Sequence, residues 1–162
     1  TINMITYFYR KVEFRNSKTI SNNSATLIGG GIYCSSPLTI TNCTTSKNRA
    51  KHGGGIYCGY SSAPKVANSI LWDDSPQEIY LNFASIIIIY SDIKGGWKGK
   101  GNINADPLFV GGGNYHLGSS SPCIDVGLNS APGIYETSTD LDGNLRIVNG
   151  IIDMGAYERQ RK

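Results

Sequence analysis

Charge is scarce in this 162-residue chain: 17% of residues are Asp, Glu, Lys or Arg, and the net charge is only +3. The basic residues are scattered, with light clusters at Arg10, Lys11, Arg15 and Lys18 and at Arg159, Arg161 and Lys162. Nucleic-acid binding needs a denser stripe, so these read as solvated termini. Long apolar runs are lacking too; the longest, Ile86 to Tyr90, is far too short to span a bilayer. The segment from Met4 turns basic by Arg10 and lacks the apolar centre of a secretory signal. No stretch keeps apolar residues three and four apart for long enough to form a helix, which excludes helical repeats. The two histidines, His52 and His116, have no spacing that ties them to a carboxylate, and no cysteine pair has zinc-type spacing.

What is present is a period. Gly-Gly-Gly-Ile-Tyr-Cys occurs at Gly29 to Cys34 and again at Gly53 to Cys58, 24 residues on. The Ile-Tyr pair continues from Ile32-Tyr33 and Ile56-Tyr57 to Ile79-Tyr80. A second column runs Val12, Phe14, Asn16; Leu38, Ile40, Asn42; Pro64, Val66, Asn68; then Ile87, Ile89, Ser91, in steps of 26, 26 and 23. Local alternation with period two, β-branched residues, and Gly or Asn at the corners make each repeat one turn of a parallel β-helix, its strands pairing roughly 4.8 Å apart with their copies one turn on. Such stacking predicts an asparagine ladder of Asn16, Asn42 and Asn68 at a bend, with Ile32, Ile56 and Ile79 inward and Tyr33, Tyr57 and Tyr80 outward.

These residues resemble the secreted right-handed parallel β-helix repeat proteins, including the polymorphic outer-membrane and pectate-lyase-like coils; the resembling stretches are ITNCTTSKNRAKHGGGIYC and RNSKTISNNSATLIGGGIYC. The second half is similar to the C-terminal region of bacterial choice-of-anchor surface proteins, with ANSILW, YSDIKGGW, GNINADPLFV, YHLGSSSPCIDVG, TDLDGNLRI and DMGAYE in that order. The resemblance spans about residues 12 to 158 and implies an exported, cell-surface or secreted protein. A truncated descendant of an exported ancestor is the expectation that follows.

The expected fold is all-β, a right-handed parallel β-helix of about four coils over residues 12–110. Residues 111–162 follow as an irregular C-terminal cap, because a solenoid end exposes strand edges and open core. Residues 1–11, rich in aromatics, are expected to fold over the first coil or to join a second copy in a homo-oligomer. Cys34 and Cys58 occupy one rung position with parallel Cβ directions, which suits buried free thiols better than a disulfide.

Candidate sites fall in three places. The tyrosine strip of Tyr33, Tyr57 and Tyr80 would suit the faces of sugar rings, with Trp97 in the loop KGGWKGKGN as a further platform and Trp72 packed. Asp140, Asp142 and Asn144 resemble the first half of a Ca²⁺ loop but lack the terminal bidentate Glu, and a hairpin turn accounts for them better. No other cofactor is expected. The coil acids Asp73, Asp74, Glu78 and Asp92 would matter to a polysaccharide lyase or hydrolase only beside a base, whereas adjacent acids commonly just solvate a turn; Asp125 and Asp153 read as caps of turn amides. The sequence favours a non-catalytic surface module binding a polysaccharide or a surface protein, with the pectate-lyase-like enzyme and the self-associating module as alternatives.

Overall fold

In the computed structural model, residues 12–14 and 17–160 are described, the first three by backbone alone. The expectations for residues 1–11 and for Asn16 lie outside them. Three parallel sheets wind into a solenoid. The first stacks β1 (Val12–Phe14), β4 (Leu38–Thr41), β7 (Lys65–Ala67) and β10 (Ile87–Ile89); the second stacks β2 (Lys18–Ser21), β5 (Cys43–Ser46), β8 (Ile70–Trp72) and β11 (Asp92–Ile93); the third stacks β3 (Ile32–Cys34), β6 (Ile56–Gly59) and β9 (Ile79–Asn82). The chain thus completes about three turns and adds two strands of a fourth, slightly fewer than the four coils expected. No helix among the described residues is long and apolar enough to cross a membrane.

From β2 to β11, one side of each strand makes the core. Ile20, Ile32, Ile40, Ile56, Val66, Leu71, Ile88 and Ile93 are at most 1% exposed and pack together, with Cys34, Cys43 and Cys58 among them. All four cysteines are buried free thiols. Gly29 and Gly53 hold φ of +64° and +65°, and a Cβ on Gly30 would lie 2.5 Å from the Arg49 carbonyl oxygen. The glycine triplets therefore repeat because the backbone turns left-handed there and neighbouring rungs approach too closely for a side chain.

The fourth turn corrects the expected register. Val66 pairs with Ile88 and Ala67 with Ile89, so Asn68 precedes Ser69 opposite Tyr90 and Ser91, not one residue later. The Ser69 amide donates to Ser91 Oγ at 3.0 Å. A one-residue slip exchanges faces: Ile88 is the core residue at 1% exposure, whereas Ile87 is 56% exposed.

The asparagine column is also rewritten. Asn42 and Asn68 are fully buried at left-handed corners, yet Asn68 Nδ2 lies a long 3.5 Å from Asn42 Oδ1. Their shorter bonds go to the C-terminal region: Asn42 Nδ2 donates to the Asp153 carbonyl at 3.2 Å, and Asn68 donates to the Leu128 carbonyl and accepts from its amide. These amides dock the next part of the chain rather than chiefly bonding one another.

That C-terminal region contains the antiparallel pairs β12 (Phe109–Gly111) with β13 (Asn114–Leu117) and β14 (Ile147–Val148) with β15 (Ile151–Ile152). It lies along the flank of the second sheet. The outward column Thr44, Ile70 and Asp92 is 0% exposed, because Ala156 N donates to Thr44 Oγ1, Gly155 sits against Ile70, and Cys123 Sγ reaches Asp92 Oδ2 at 3.2 Å. The open end is closed instead by residues 94–105. Ile103 exchanges backbone bonds with Ser91 and Ile93, Tyr90 N donates to Lys100 O, and Asn102 Nδ2 donates to the Ile88 carbonyl. The cap is thus divided between an end lid and a flank cover, where a single end cap was expected.

Candidate functional site

The corner between the second and third sheets carries the densest polar organisation of the solenoid. Its buried layer is a hydrogen-bonded column one residue per turn: Asn23 Nδ2 donates to Asn48 Oδ1 at 2.9 Å, and Asn48 Nδ2 donates to Asp74 Oδ1 at 2.8 Å. Asn48 Oδ1 also accepts the Asn23 amide, and the Asn48 amide donates to Asp74. The sequence reading marked Asn42 and Asn68, which share the long bond above, and missed this column. Asn23 and Asn48 precede the two glycine triplets at nearly the same distance, a signal that was readable, but Asp74 hides the third member.

Beneath this column lies a carboxyl pair. Asp74 N donates to Glu78 at 3.2 Å, and both acids are buried. Burial, followed by the neighbouring Asp74 charge, pushes Glu78 up to about 9, and burial also raises Asp74. The pair therefore carries a proton at neutral pH.

Outside the buried column, Asn22, Lys47 and Asp73 hold left-handed φ of 58°, 57° and 68° and project outward on successive turns. Two clefts open here and share Asp73 and Ser75. One, of about 480 Å³, is lined by Asn22, Asn23, Ser24, Lys47 and Arg49; the other, of about 440 Å³, by Asp74, Pro76, Gln77, Glu78, Lys94 and Gly95. Lys94 pairs with Asp73, and its ammonium lies 5.7 Å from the Trp72 ring centre. The hydrogen bond and charge of Asp73 hold Lys94 above its usual value. Arg49 is fixed from both sides, its backbone bridging to Ser24 and Ser75. The cleft of Lys94 adjoins that of Lys47 and Arg49 only because the turns stack, and spacing along the chain does not single these residues out.

The tyrosine strip exists as a stack, with ring centres 5.6 and 5.5 Å apart and planes within 14° and 12°. The expected exposure is not there: Tyr33 is 8% and Tyr57 6% exposed. The ring faces are spent on one another, the Tyr57 hydroxyl accepts from Asn82 Nδ2 at 2.8 Å, and Tyr80 lies against His52. No face of the central ring is left for a sugar. Trp97 is half-buried against the hydrophobic core, a plug rather than a platform. Trp72 packs as expected, partly buried beside Ile70 and its neighbours.

Asp140, Asp142 and Asn144 do not converge on a metal position. Asp140 is buried and accepts the amides of Asp142 and Asn144 on Oδ1 and that of Glu158 on Oδ2. Asp142 turns outward to His116, whose Nε2 lies 2.6 Å from it. That pair is 26 residues apart in sequence, was not anticipated, and is set by stacking of His116 on Tyr157 at 3.9 Å. A tight turn, with Gly143 at φ +85°, fits these contacts. Nearby, Arg146 at 1% exposure donates to the Asp153 and Gly155 carbonyls, with Glu158 3.9 Å away. Asp153 accepts the Asp125 and Arg159 amides, as expected of a turn cap. Asp92 is fully buried, and desolvation raises it to about 6.

Stacked parallel sheets with corner ladders define a β-solenoid repeat protein. Residues 19–35, from β2 through β3, match the family model of the Chlamydia polymorphic membrane protein repeat. No curated protein and no solved structure matches the chain. The short match and the solenoid together support a β-helix repeat protein resembling the polymorphic membrane type.

Proposed function

We propose that this chain is a non-catalytic module of a surface or outer-membrane-associated protein, and that the corner cleft binds an extended polysaccharide. The repeat match supports the location. The observation that carries the binding reading is the continuity of the two clefts, which share Asp73 and Ser75 and offer side chains from successive turns along one line. Hydroxyls, amides and charged groups on a rigid parallel backbone suit a polymer lying along the solenoid axis, since each rung presents a further polar side chain roughly 4.8 Å on.

Asp73, Glu78 and Lys94 together meet the acid-plus-base requirement of a polysaccharide lyase, which gives the enzyme reading one specific observation. The base is in the wrong state, however. A lyase base must take up a proton from the sugar, whereas the exposed Lys94 ammonium is already paired with Asp73. Binding without cleavage is the better account. The test is a glycan-array screen followed by product analysis on each bound polymer. Lys47→Ala combined with Arg49→Ala should weaken binding at least about tenfold, while Tyr57→Phe leaves it unchanged. Undiminished binding by the double variant would remove the cleft, and a cleaved product would establish an enzyme, a lyase if the new end is unsaturated and a hydrolase if it is not.

A further inference from the structure

The third sheet is one strand short. The first and second sheets each stack four strands, whereas the third ends at β9, so among the described residues no fourth rung stands beside β10 and β11 on that side. The end lid serves the other two sheets: Lys100, Asn102 and Ile103 bond Ile88, Tyr90, Ser91 and Ile93. No backbone bond among the described residues reaches the outer edge of β9.

That edge is open and unguarded. The Ile56 amide donates to the Glu78 carbonyl at 2.8 Å, and with Ile56 opposite Ile79 the alternation of a parallel ladder turns the amides and carbonyls of Ile79 and Leu81 away from β6. The strand, Ile-Tyr-Leu-Asn, has no charge and no proline, the usual guards of a free edge. Leu81 follows Cys34 and Cys58 in register on the core side, yet it is 38% exposed where they are buried. Phe83, just past the strand, is 92% exposed. Unpaired ladder groups beside apolar side chains are what an added strand uses, the first for affinity and the second for selectivity.

Room and area select the occupant. β10, β11 and the lid continue past the level of β9, so a second copy meeting this edge would drive its own overhang into that one. A four-residue edge is also only roughly 13 Å long, far too little for the roughly 800 Å² per partner that a stable dimer of folded chains covers. A single extended segment meets neither obstacle. Its residues over Ile79 and Leu81 continue the core side and must be apolar, since Ile79 packs against the core cluster.

We infer that the free edge of β9 docks an extended segment of another protein, which adds as the fourth strand of the third sheet through backbone bonds to Ile79 and Leu81, with alternate apolar residues on the core side and Phe83 at its end. This site is separate from the corner cleft and does not rest on the polysaccharide reading. Panning a displayed library of random strand-length peptides against the full chain, then measuring the recovered peptides by fluorescence anisotropy, tests it. The recovered peptides should alternate apolar residues, and their binding should slow hydrogen exchange at the Ile79 and Leu81 amides. Leu81→Pro, which removes an outward amide that β6 does not use, should weaken binding at least about tenfold. Phe83→Asn, an exposed change that suits the left-handed φ of 51°, should weaken it several-fold with an unaltered melting temperature. Recovery of no peptide, unslowed exchange at those two amides, or equal binding by the Phe83 variant overturns the inference. A dimer of the chain alone in sedimentation, abolished by Phe83→Asn, gives the edge to a second copy and overturns the assignment to another protein. Neither variant should alter the glycan-array result, so the two readings fail separately.

Discussion

Asn48 is the residue on which the polar corner depends. It is 0% exposed and makes both an upward bond to Asn23 and a downward bond to Asp74, while its Nδ2 also satisfies the Ile20 carbonyl. Removing it takes partners from buried groups on the turns above and below, Asn23 and Ile20 on one side and Asp74 on the other, so Asn48→Ala should cost about 3 kcal/mol. Asn42→Ala, which loses one bond to the Asp153 carbonyl and sets an alanine at a left-handed φ of 54°, should cost about 2 kcal/mol. Urea denaturation of both variants decides it; equal losses would show that the two columns matter alike. The difference could not be read from sequence, because both asparagines sit at corners and recur with the rung period. What separates them is the partner across space, and Asp74 is a carboxylate serving in an amide's place.

The segment from Lys94 to Ala105 is the element whose role changed most. Its glycines and lysines read as an exposed loop, and Gly95, Gly96 and Gly101 do hold left-handed φ. Between them Trp97 turns back onto the core and Asn102 bonds the Ile88 carbonyl and the Trp97 carbonyl, closing the last turn. The open end of a parallel sheet exposes unpaired backbone and apolar side chains at once, and this lid meets both needs. Trp97→Ala should therefore destabilise the fold by about 3 kcal/mol, near the low end for large buried aromatics since it is only half-buried. Polysaccharide affinity of the folded variant should stay unchanged. Thermal melting alongside binding measures the two, and lost affinity without lost stability would return Trp97 to the role of ligand platform.

At the scale of the molecule, the solenoid and the flanking region each bury acids. Glu78, in the solenoid corner, is pushed up to about 9 by burial and then by Asp74; Glu158, in the flank, is pushed up to about 8 by burial and then by Asp153. An unfolded Glu titrates at about 4.3, so from there to pH 8 or 9 the folded chain holds protons that the unfolded chain has released. Stability therefore falls as pH rises through that window, by at most about 1.4 kcal/mol per pH unit for each group. The melting temperature should be higher at pH 5.5 than at 8.5, and Glu78→Gln, which mimics the protonated acid, should flatten the profile. A melting temperature that rises over this range would refute the buried-proton account. The solenoid itself was legible in the sequence: the 24-residue return of Gly-Gly-Gly-Ile-Tyr-Cys, the alternation around Ile40 and Val66, and the absence of helical spacing admit few other folds, because β-strand periodicity and corner glycines are properties of a residue and its near neighbours. The inward placing of Ile32, Ile40, Ile56 and Val66 followed from the same alternation. Only the tertiary structure decided which outward side chains are exposed. Tyr57 is hidden by its neighbours in the stack, Ile70 by Gly155 and Met154, and the cleft of Lys47 and Arg49 adjoins that of Lys94 through Asp73 and Ser75. Exposure and clustering depend on what a distant part of the chain lays against a surface, and no local period carries that information.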